Sequence, residues 1–193
     1  MNWNQLCNTT YLLAGTLLLP ALLAASPEGC QPGTPTSKSD TWDFPEEASG
    51  LIEQIQSHAG QVSRNADRLQ SFTRANGISW ESHAVELTQV RDHVNAIGKL
   101  HCQLQVNRHV ALPWQQRAID YMTPKLVNLA NLTEAAIQVL AENRSTLLAT
   151  NYTRQTAEMY ELADEINDSL GAFLESAEMR QKLERSEQNL PGA

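Results

Sequence analysis

The sequence predicts an all-α protein folded as an up-down-up-down four-helix bundle, and three observations predict it. Four stretches carry apolar residues at alternating spacings of three and four, the signature of a helix with one buried stripe. The segments between them are short and hold turn residues, which makes sequential neighbours antiparallel. Aromatic residues are only 6% of the chain, and glycine is sparse after Gly98, so a sheet has little to build on. A long helical hairpin that dimerises would bury the same stripes, and the pattern does not separate the two.

The first helix is expected from Asp43, which offers an N-cap, with Pro45 in the first turn and Glu46 three residues on. Its stripe is Ala48, Ile52, Ile55, Ala59, Val62, Ala66 and Leu69, a span of about 30 residues and roughly 45 Å. Ala75-Asn76-Gly77 marks its end, because glycine adopts the left-handed conformation of a helix C-cap without penalty. Ser79 can cap a second helix bearing Leu87, Val90, Val94, Ile97 and Leu104 and running to about Asn107.

Pro113-Trp114 opens a third helix, carried by Ala118, Met122, Leu126, Leu129, Ala136 and Leu140. Pro124 falls inside it and predicts a kink, since the apolar stripe keeps its phase across the proline. The competing reading is a fresh start capped by Thr123. Asn143-Arg144-Ser145-Thr146 turns the chain. A fourth helix from about Thr150 carries Met159, Ala163, Ile166, Leu170, Phe173 and Ala177, and ends in a charged tail, Arg180 to Gln188. The bundle is thus expected over residues 43–187, with residues 188–193 frayed.

Ahead of the bundle, residues 1–26 read as a signal peptide. The first 27 residues hold no charged side chain, and Tyr11 to Ala25 form a 15-residue apolar run ending in small residues. A membrane-spanning helix needs roughly 20 such residues, so this run is short for an anchor and also contains Pro20. No Lys or Arg precedes it, which leaves an uncleaved anchor or a cytosolic helix as alternatives. Residues 27–42, rich in Pro, Gly, Ser and Thr, read as a flexible linker. The expected setting is therefore exported, periplasmic or extracellular, with membrane contact only through an uncleaved signal or a lipidated Cys30.

Cys7 lies in the signal, which leaves Cys30 and Cys102. In an oxidising compartment these two could form a disulfide tying the linker to the second helix. Pro27-Glu28-Gly29 before Cys30 departs from a lipoprotein signal, which wants an aliphatic residue three positions back. A plain thiol is the expectation for Cys102, which falls among apolar residues.

Twenty-two acidic against 14 basic residues give a net charge of -8. Such a surface repels nucleic acid and anionic headgroups. No catalytic residue and no cofactor are expected. G-x-S-x-G, H-E-x-x-H and a phosphate-binding glycine loop are all missing from the sequence. His83 and His101 occupy stripe positions on one helix, about 27 Å apart, too far for a shared metal. His93, beside Asp92, is expected on a solvated face. A di-iron bundle would need Glu three residues before His, and those positions hold Trp80, Val90 and Gly98. The ingredients for a b-type haem are Met122, Met159 and His101, whose ordinary role is to fill a helical core. Glu161, Glu165 and Asp168 share a helix face, where a solvated surface is the expectation over a cation site. Asn-x-Ser/Thr triplets at Asn8, Asn131, Asn143, Asn151 and Asn167 would matter only in a eukaryotic secretory route.

Val90-Arg91-Asp92-His93-Val94-Asn95 and Pro113-Trp114-Gln115-Gln116-Arg117-Ala118-Ile119, ahead of a proline-interrupted helix and a tyrosine-bearing fourth one, resemble a family of exported bacterial helical proteins with no assigned function. The resemblance covers about residues 80–175. It implies an extracytoplasmic bacterial setting and supplies no activity or site residues. The functional expectation is a structural or interaction module that binds a protein partner or itself. The alternative is a small-ligand, haem or metal carrier, with Tyr121, Met122 and His101 lining a gap at the Pro124 kink.

Overall fold

The computed structural model describes residues 44–75, 77–144, 147 and 151–188. The expected signal, the linker with Cys30, Asp43, Asn76 and residues 189–193 lie outside them. Four helices account for most of the described chain: α1 (Phe44–Arg74), α2 (Trp80–Val106), α3 (Pro113–Glu142) and α4 (Tyr152–Gln188). A single 3-10 turn, Arg108–Val110, joins α2 to α3. Helices adjacent in sequence pack against each other, α4 closes the ring against α1, and α1 and α3 meet only briefly across the diagonal. This is the four-helix bundle expected from the stripes and the short connections.

The stripes are the core. All seven predicted residues of α1, from Ala48 to Leu69, are fully buried, as are Ile97 and Leu104 of α2, Ala118, Met122 and Leu129 of α3, and Met159, Ala163, Ile166 and Leu170 of α4. Each large aliphatic side chain so buried contributes about 1.5–3 kcal/mol. Phe173 and Ala177 are only half-buried, because α4 is leaving its neighbours there. The ends follow local chemistry: α1 stops at Arg74 and the chain turns at Gly77, which has a φ of +87°. Ser79 takes the extended N-cap conformation before α2, although its side chain makes no capping bond.

α3 runs unbroken through Pro124, so no restart occurs at Thr123. Pro124 and Asp120 are both exposed. The Asp120 carbonyl, which loses its intrahelical donor to the proline ring, can therefore bond water. At the head of α3, the side-chain Oε1 of Gln115 accepts from the Leu112 N–H at 2.8 Å. Its amide nitrogen donates to the Pro45 carbonyl and to Ser49 Oγ. One buried glutamine thereby caps α3 and fastens it to the first turn of α1.

α4 runs on to Gln188, as the expected span of 43–187 requires. The charged stretch Arg180 to Gln188 continues the helix, which reaches 37 residues against 27 to 31 for the others. Good helix formers and the Glu178–Lys182 pair, at i and i+4 and 3.5 Å apart, support it without packing.

Candidate functional site

Polar side chains in this bundle bond between helices, and α2 carries three of the five histidines. Each of the three reaches a different helix. His93 meets α1: its Nδ1 lies 2.9 Å from Nδ1 of His58. The ring centroids are 5.2 Å apart, a distance that places the two nitrogens nearly head-on. One N–H donates to the other ring's lone pair, so the pair shares a single proton. His101 meets α3, with Nε2 at 2.9 Å from Thr123 Oγ1. Thr123 gives its own proton to the Ile119 carbonyl at 2.6 Å and accepts from Gln105 at 2.8 Å. His83 meets α4 through Nδ1, 3.2 Å from the Tyr152 hydroxyl.

Their surroundings favour the neutral imidazole. Burial lowers the pKa of His83 below the usual histidine value. Burial first, then the neighbouring His58 and Arg64, lower that of His93 against the opposing pull of Asp92. Burial alone takes His101 down to about 4. Around His83 the packing is aromatic: Phe72 of α1 and Tyr152 of α4 both present edge contacts with centroids 5.4 Å away. Burial also raises the pKa of the Tyr152 hydroxyl, keeping it protonated.

The α3–α4 seam is polar on its rim. Tyr121 donates its hydroxyl to Glu165 at 3.0 Å and contacts Ser169 Oγ at 2.8 Å. Lys125 pairs with the same Glu165 oxygen at 2.8 Å and lies over the Tyr121 ring. Hydrogen bonds from Lys125 and Tyr121 hold the Glu165 carboxyl below its ordinary range. Glu165 is thus engaged in tying two helices. On the α1–α2 seam Arg68 donates to the buried Glu86 at 2.8 Å.

The residues singled out for a ligand are each engaged within the bundle, Met122 as a fully buried core side chain. Tyr121 faces α4, His101 bonds into α3 from α2, and Met159 takes a contact from Thr133 at 3.6 Å inside the core. Among the described residues no group of three or more His, Cys, Asp or Glu side chains is arranged to hold a metal ion, and no helix is long and apolar enough to cross a membrane. Cys102 is half-buried on α2, and its suggested disulfide partner Cys30 lies outside the described residues.

One expectation is corrected here. His93 is not on a solvated face; it is half-buried against His58. His58, Glu86 and Gln115 carry much of the inter-helix bonding, and their side-chain roles went unread in the sequence. For Glu86 a signal existed, since it lies one residue before Leu87 and three after His83, on the edge of the stripe. Comparison with protein-family models, with curated proteins and with solved structures returned no match for this chain.

Proposed function

We propose that this protein is an exported, non-enzymatic helical bundle that serves as an interaction module, presenting the end of α4 to a helical partner or to a second copy of itself. The observation that carries this reading is the extension of α4. Ser63 bonds to Asp164, Gly60 sits beside Asn167, and Gly171 sits beside Gln56. Carried forward, that antiparallel register sets Phe44 opposite Leu183. The Thr133–Met159 and Tyr121–Ser169 contacts likewise set the start of α3 opposite about Ala177. Past Ala177, α4 therefore has, among the described residues, only the start of α1 beside it.

Every residue from 178 to 188 is exposed, a rod of about 16 Å. Met179 and Leu183, one turn apart, are 53% and 64% exposed. A helix that offers two large apolar side chains on one face suits docking into a groove or against another helix.

The test is association of the full chain measured by light scattering and by recovery of cross-linked partners from an envelope fraction. The double variant Met179→Asp/Leu183→Asp is expected to lose association while its stability moves by no more than about 0.5 kcal/mol, as for exposed positions. A wild-type chain that stays monomeric at high concentration, and whose cross-linked partners match those of the double variant, would sink the reading.

A further inference from the structure

We infer that α2 is held in the bundle by a proton-operated latch: three neutral histidines tie it to each of the other helices, and acid releases it. His93 reaches α1, His101 reaches α3 and His83 reaches α4, over the length of one helix. No other helix of the bundle carries more than one histidine; α1 has His58, and His109 is exposed on the 3-10 turn.

Each tie responds to a proton for a local reason. The His58–His93 contact is a head-on N–H···N bond 2.9 Å long. It accepts one shared proton but not two, because a second puts two N–H groups and two positive charges nose to nose. Arg64 on α1 adds to that repulsion, and Asp92 beside His93 relieves part of it. His101 is bounded by Thr123, whose proton is committed to Ile119, and by the amide nitrogen of Gln105, 3.2 Å from Nε2. Neither supplies a negative charge to an imidazolium. His83 lies against the Phe72 and Tyr152 rings and one hydroxyl. The carboxylate one turn along α2, Glu86, is already paired with Arg68.

Protonation of His101 and of His83, and the second proton on the His58–His93 pair, therefore oppose the two seams of α2 and its one tie across the diagonal to α4, while the α1–α4 and α3–α4 seams rest on aliphatic packing and on pairs such as Lys125–Glu165. The depressed pKa values of His83, His93 and His101 agree with this direction. With a native value of about 4 against 6.5 when exposed, His101 alone favours the open state at pH 5 by about tenfold or more.

Amide hydrogen exchange on the full chain at pH 7.5 and pH 5, corrected for the intrinsic pH dependence, tests the latch. Protection in α2 is expected to fall by about tenfold or more, relative to the change in α1 and α4 across their shared seam. In His93→Gln and His101→Gln, variants with an uncharged polar side chain, that differential is expected to shrink although helicity at pH 7.5 is unchanged. Imidazole proton resonances give a second readout that needs no variant: the rings of His83, His93 and His101 should titrate below the ordinary histidine range. Uniform loss of protection over all four helices, or a differential that survives in both variants, would overturn the inference. So would imidazole resonances of these three rings that titrate at the ordinary value.

Discussion

Glu86 is 6% exposed and has only one of its two carboxylate oxygens bonded among the described residues. Its partner there, Arg68, stands half in solvent at 54% side-chain exposure. A buried carboxylate without its cation loses more than the bond is worth, because the desolvated charge is then unopposed. Arg68→Ala is accordingly expected to destabilise the protein by about 1–3 kcal/mol in urea unfolding. Glu86→Gln keeps an acceptor for Arg68 and removes the charge, so it should cost less than about 1 kcal/mol. Equal losses in the two variants would mean that the carboxylate is better solvated than its burial indicates.

At the scale of the helix, glycines on α1 separate propensity from packing. A Cβ added at Gly50 meets nothing within 4 Å, whereas one added at Gly60 comes within 3.2 Å of Asn167 Oδ1 on α4. Gly50→Ala should therefore stabilise the fold by up to about 1 kcal/mol, the helix-propensity difference, seen as a higher melting temperature. Gly60→Ala should gain less, since the α1–α4 seam must yield by a few tenths of an ångström. The reverse order would show that the seam is looser than the Gly60–Asn167 approach implies. Helices and stripes of this kind were legible in the sequence because they depend on spacing alone: Ala48 to Leu69 reads as one face whatever lies opposite. The pairs across seams were not. Whether His58 meets His93 depends on how α1 slides along α2, a register set by the summed packing of both stripes and by the turn at Gly77. The length of α4, by contrast, was legible, because Glu, Lys, Arg and Gln are strong helix formers and carry the helix on through its charged end.

For the whole molecule these groups combine into a stability curve with two acid limbs of different origin. The three histidines have folded pKa values below the unfolded value of about 6.5. The unfolded chain thus binds protons first, and stability falls as pH drops below about 6.5, with the His101 contribution fully spent below about 4. Asp120, bonded to Arg108, and Glu165, bonded to Lys125 and Tyr121, also have lowered values. Their stabilisation is intact above the ordinary carboxylate range and is lost only as pH falls through and below it. The two carboxylates sit on the surface, where salt screens them, while the histidine limb arises mainly from burial and responds little. Urea midpoints measured from pH 8 to pH 3 should therefore decline in two stages, with 1 M NaCl flattening the lower stage and leaving the upper one nearly unchanged. A single decline confined to pH below 4.5 would mean that the histidines are solvated in the folded protein. An upper stage abolished by salt would place its cause in surface repulsion rather than in the buried seams of α2.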